Sequence, residues 1–254
     1  MKGLFFAKPI EYRLETPADQ LVQGENIIGS MSAVNRGAEE AKKLRMEIGL
    51  AYGDFKKIKD NEPDALVVLE RKSLGKQFSL KPGDSNSTEW EIKLPPDCAI
   101  TSKEGSLFLL YGGNIEDSAA RSKIDLRVQL APVLETLVVS IENHFAFASK
   151  SRQHNDGFTE VKFKPPSSYP TLDELRLLMR LGDKEIMELE FHCNTRGFDR
   201  SAGKGLKSKV VKITQSYTRK EYLLHNSQPN RELFKSAMES VLAKATPGKV
   251  TKSK

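Results

Sequence analysis

The chain has 254 residues, of which 38% are hydrophobic and 29% are charged, and its formal net charge is +6. This composition is typical of a folded protein and excludes an intrinsically disordered chain, and the length suits two domains. No run approaches the roughly 20 apolar residues of a membrane span, and a lysine and a proline interrupt the apolar start at residues 4–7. We therefore expect a cytoplasmic protein without a signal peptide or stable membrane insertion.

Short strands follow one another through the first half of the chain. Apolar residues alternate with other residues at positions 44–52, around Trp90 and at positions 124–130, which indicates strands with one face in a core. We predict further strands at residues 4–14, 27–34, 65–71, 76–80 and 107–111, and an exposed loop at residues 53–64. Strands at a spacing of about 10 residues, separated by turn residues, favour a β-sandwich or a barrel.

The apolar period changes after Pro132, where residues 133–145 repeat at three- and four-residue spacing. We predict a helix over 132–144, with the proline in its first turn, and a domain boundary before it. Beyond it we predict strands at 158–164, 175–181, 187–193 and 209–217, a hairpin turn at 182–184, and a helix over 229–244. The predicted fold class is mainly β: antiparallel β-sandwich domains at 1–131 and 132–226, then a C-terminal helix and a basic tail at 227–254.

The sequence contains only two cysteines, Cys98 and Cys193, and their separation argues against a disulfide framework and a four-ligand zinc site. Cys193 is the best candidate nucleophile because His192 adjoins it. Neighbours along a strand point to opposite faces, however, so this adjacency separates the two side chains in space. We interpret Cys193 as a buried structural residue and predict no metal site.

Two other sequence patterns contain residue types that can carry chemistry. Residues 197–204 (GFDRSAGK) resemble a phosphate-binding loop, but the spacing of the glycines is one residue too long and no predicted helix follows, so we expect a surface loop and no nucleotide cofactor. The carboxylate pairs Glu89 and Glu91, and Glu188 and Glu190, fit a solvated strand face better than a glycosidase site. We predict no catalytic residues and no small-molecule substrate.

Several segments resemble the arrestin-like clan and, within it, the bacterial sporulation-control protein family. The segments are residues 24–31 (GENIIGSM), 78–83 (FSLKPG), 90–95 (WEIKLP), 172–179 (LDELRLLM) and 188–197 (ELEFHCNTRG). They are similar to the early strand pair of the clan, to its turn and following strand, and to the closing hairpin of the family. The resemblance implies two arrestin-like β-sandwich lobes, no catalysis, and an adaptor or scaffold role in bacterial development, cell division or cytoskeletal regulation.

We therefore expect a non-catalytic adaptor whose protein partners bind exposed strand edges, and a homo-oligomer is compatible with this expectation. The alternatives are a membrane-surface or nucleic-acid binder acting through its basic tail and loops, and an enzyme with an unrecognised site. No strand interleaves aromatic with basic residues, so nucleic acid is not the expected partner. The candidate contacts for an acidic protein partner are Lys56, Lys57, Lys59, Arg71 and Lys72.

Overall fold

The computed structural model describes residues 1–17, 20–182, 184–198 and 206–246. The chain divides into two compact units, Met1–Gln129 and Leu130–Lys254. Parts of the predicted turn at 182–184 and of the predicted loop at 197–205 lie outside the described residues, as does the tail beyond residue 246.

The first unit is built mainly from antiparallel strands. Its elements are β1 (Lys2–Ala7), β2 (Ile10–Glu15), β3 (Leu21–Val22), β4 (Asn26–Asn35), β5 (Ala41–Leu44), β6 (Glu47–Asp54), α1 (Phe55–Lys59), β7 (Leu66–Ser73), β8 (Phe78–Leu80), β9 (Ser85–Lys93), β10 (Gly105–Gly112), β11 (Arg121–Leu126) and β12 (Val128–Gln129). The two four-stranded sheets have the orders β1-β2-β4-β9 and β11-β10-β6-β7, and β5 pairs with β8 while β3 pairs in parallel with β12.

The core of the first unit lies between the two four-stranded sheets. Alternate residues of each strand point into it, because successive side chains of a strand face opposite sides. Trp90 and Ile92 of β9 are buried there, as the alternation around Trp90 predicts. The cluster also contains Leu14, Ile27, Met31, Ile48, Leu50, Leu107, Leu109 and Tyr111. Both sheets contribute, so the unit is a β-sandwich.

Strand β10 is buried along its whole length, because a second apolar cluster covers its other face. Phe108 and Leu110 lie in this cluster, and Phe55 and Ile58 of α1 pack against it. The Asp54 side chain caps α1 by accepting a hydrogen bond from the backbone N–H of Lys57 at 3.0 Å. The predicted exposed loop at 53–64 is therefore wrong at residues 55–59, since one turn of helix is too short to show a period.

The second unit combines one antiparallel sheet with helices. Its sheet has the order β13-β14-β15-β16-β17. Its elements are α2 (Pro132–Phe145), β13 (Ala148–Asn155), β14 (Phe158–Lys164), β15 (Leu172–Leu181), β16 (Met187–Phe198), β17 (Leu206–Tyr217), α3 (Arg219–Tyr222) and α4 (Arg231–Ala245). Helix α4 packs on α2 and on β16, burying Phe234, Met238 and Val241. The mainly β, antiparallel fold class is confirmed, and in this unit helix α4 packs against the described sheet.

Several predicted boundaries differ from those observed. The predicted strand at 44–52 is two strands, β5 and β6, which pair with different partners, and the predicted strand at 124–130 is divided into β11 and β12. Strand β13 was not predicted, since its sequence is polar throughout and shows no alternation of apolar residues. Strand β3 has two residues, too few for any periodicity.

Candidate partner-binding edge

The five basic residues predicted to contact a partner lie on two consecutive elements of the first unit. Lys56, Lys57 and Lys59 belong to α1, and Arg71 and Lys72 belong to the second half of β7. A strand rises by about 3.4 Å per residue, so Leu66 at the start of β7 and Lys72 near its end are roughly 20 Å apart. The structure therefore does not bring the five residues into one cluster, but places them towards opposite ends of β7.

Three of the five basic side chains are already engaged within the chain, since Lys72 Nζ donates to the backbone carbonyl of Glu91 at 2.9 Å and the other two form ion pairs. Arg71 donates to the carboxylate of Glu47 at 2.7 Å and pairs with Glu116 at 2.7 Å, and these interactions raise the pKa of Arg71. Lys57 pairs with Asp64, and this hydrogen bond raises the pKa of Lys57 and lowers that of Asp64. These ion pairs fix the two ends of β7. Because Arg71 and Lys57 are paired within the chain, their charges are less available to a partner.

The segment around α1 is not positive as a whole. Residues 54–64 contain three lysines but four carboxylates, those of Asp54, Asp60, Glu62 and Asp64, so the segment has a net charge of −1. At the other end of β7, Arg71 and Lys72 follow Glu70, and Arg71 is paired with Glu47 and Glu116. Neither end of β7 therefore carries an excess of positive charge.

Strand β7 is the edge of its sheet and exposes a run of apolar side chains. Val67, Val68 and Leu69 are 53%, 38% and 53% exposed. Between Leu50 and Ala51 the pairing of β6 with β7 shifts register, so Leu69 has no partner in the ladder. Such a bulge redirects side chains and increases the local twist. We define Val67, Val68 and Leu69 as the apolar triplet.

The other sheet edges among the described strands do not expose three consecutive apolar residues. Strand β1 lies against β11. On β9 the carbonyl of Glu91 accepts a hydrogen bond from Lys72 Nζ at 2.9 Å. Charged side chains discourage pairing with another chain, and β7 carries three of them, Glu70, Arg71 and Lys72, beyond its apolar triplet. The apolar triplet makes β7 the candidate interaction edge.

The candidate nucleophile occupies the position that strand alternation predicts. Cys193 is fully buried, and burial raises the pKa of its thiol to about 11. His192 points to the other face, where its Nε2 lies 2.5 Å from the carboxylate of Glu190. The predicted burial of Cys193 and its separation from His192 are confirmed, and neither burial nor a raised pKa activates a thiol.

Three of the four carboxylates in the two predicted pairs contact other residues. Glu188 pairs with Arg180 at 2.7 Å, and Glu190 contacts Lys212 at 3.5 Å in addition to His192. Glu91 accepts from Asn26 at 2.6 Å. Within the described ranges, no three His, Cys, Asp or Glu side chains are grouped so that they could hold a metal ion.

A concavity of about 990 Å³ lies on the β1-β2-β4-β9 sheet of the first unit and reaches Lys72 of β7. It is a shallow hollow whose wall includes Lys2, Glu15, Ile28 and Glu89, and Lys2 and Glu15 already form an ion pair at 3.1 Å. Among the helices that the structure describes, none is long and apolar enough to cross a membrane.

By its fold the chain is a mainly β protein of two compact units, each built on antiparallel strands. It is similar to the crystal structure of Spo0M, a sporulation control protein from Bacillus subtilis, with a TM-score of 0.67 and 17% identity over 94% of this chain and 99% of that chain. The resemblance that the sequence motifs indicate is thus confirmed at the level of fold. No protein-family model and no curated protein sequence matches the chain.

Other solved structures overlap with the chain only in part. AvmM, which catalyses a macrocyclisation, has a TM-score of 0.35 and 12% identity over 52% of this chain and 98% of that chain. A β-glucosidase from Listeria innocua has a TM-score of 0.30 and 13% identity over 48% of this chain and 16% of that chain. Likenesses of this size carry no argument about function.

Proposed function

We propose that the protein is a cytoplasmic, non-catalytic regulatory adaptor that binds other proteins by adding a strand of the partner to β7. The observation that carries the proposal is the apolar triplet on a sheet edge. An edge strand offers unpaired backbone N–H and C=O groups to an extended segment of a partner, and adjacent apolar side chains add specificity. The regulatory role is extended by analogy from Spo0M, whose fold the chain shares.

The basic residues divide into two roles in this proposal. Lys57 and Arg71 hold the ends of β7 through their pairs with Asp64 and Glu47. Lys72 donates to the backbone carbonyl of Glu91 on β9. Lys56 and Lys59 form no ion pair with another described side chain, and they are the charges that an acidic residue of a partner would meet. Exposed charges of this kind contribute little affinity, but they orient the partner during association.

The proposal is tested by co-purification with the tagged full-length chain from its own cells, at low and at high salt. The variants are Val68→Lys, which puts a charge into the apolar triplet, and Val210→Lys, which puts the same charge on the 46% exposed valine of edge strand β17. We expect a set of proteins that persists at high salt with the wild type and with Val210→Lys and is lost with Val68→Lys.

The same set of proteins on all three baits would contradict the proposal. A chain ending at Thr246 serves as the control for the tail. Loss of the bound material at high salt and on removal of the tail, with no effect of Val68→Lys, would replace strand addition by an electrostatic interaction of the tail, because such binding weakens steeply with salt.

A further inference from the structure

We draw no further inference here: the strongest candidate, the apolar triplet exposed on edge strand β7, carries none, because nothing in the structure shows what covers it.

Discussion

Glu47 shows how one buried carboxylate organises the region behind β7. Its side chain is only 2% exposed, and it accepts hydrogen bonds from Arg71 at 2.7 Å and from the backbone N–H of Ile115 at 3.2 Å. It thereby ties the edge strand to the loop after β10. Because a buried acceptor is costly to lose, this residue matters more for stability than the exposed charges around it.

We expect Glu47→Gln to lower the free energy of unfolding by about 2 kcal/mol, since the amide keeps the size of the side chain but loses the charge-assisted hydrogen bond to Arg71. Urea unfolding followed by circular dichroism measures the change. The matched control is Glu116→Gln, which removes the other partner of Arg71 at the surface and should change stability by less than about 0.5 kcal/mol. Equal effects of the two substitutions would contradict the role of burial.

Glu11 predicts a dependence of stability on pH. The side-chain hydrogen bond from Arg36 lowers its pKa below the ordinary value of 4.5, helped by Arg13 and opposed by burial. A carboxyl whose pKa is lower in the folded state stabilises the fold fully above its unfolded pKa, and this contribution is lost as the pH falls through the folded pKa.

We therefore expect Glu11→Gln to be less stable than the wild type at neutral pH, with the difference shrinking as the pH is lowered below 4.5. Urea unfolding at a series of pH values measures this difference. If the difference in the free energy of unfolding between the two proteins stayed constant from neutral to strongly acidic pH, the ionised form of Glu11 would not be what stabilises the fold.

At the scale of elements, predictions succeeded where the chain repeats a pattern for several residues. The alternation around Trp90 and the proline at the start of α2 are local signals, and the structure has β9 and α2 at those positions. Helix α1 and strands β3 and β13 gave no such signal. They form because the apolar surface of β10 and the paired strands around them supply contacts that the segments do not encode alone.

The end of α2 allows a stabilising substitution. Ala146 terminates the helix with φ of 55°, in the left-handed region that side chains other than glycine resist. We expect Ala146→Gly to raise the free energy of unfolding by about 0.5–1 kcal/mol, because glycine adopts this conformation without strain. Thermal unfolding measures the gain, and Ala146→Val should lower stability. A lower midpoint for the glycine variant would contradict this account of the cap.

At the scale of the whole molecule, the first unit has apolar clusters made entirely from its own residues. A segment with its own core can fold alone. We expect the fragment 1–129 to show a cooperative thermal transition and the circular dichroism of β-structure. A shorter control ending at residue 112 lacks β11 and β12 and is expected to remain unfolded. A fragment 1–129 without a cooperative transition would show that its core depends on the rest of the chain.

The candidate site could be predicted only in outline. Patterns of charge pointed to residues 56–72, but they did not show that Arg71 is bound to the buried Glu47, since that pairing joins residues 24 positions apart. They also did not show the role of the apolar triplet. A run such as Val67, Val68 and Leu69 is normally interpreted as part of a buried strand.

The sequence by itself determined that this protein is mainly β, because alternation and turn residues act over a few neighbours and need no distant partner. The tertiary structure alone decided which strand is an edge. Strand β7 is an edge because, among the described strands, only β6 pairs with it, while the other side of β6 is taken by β10, which lies far along the chain. Edge position depends on such long-range pairing, so the surface on which the proposed function rests could be recognised only in the folded molecule.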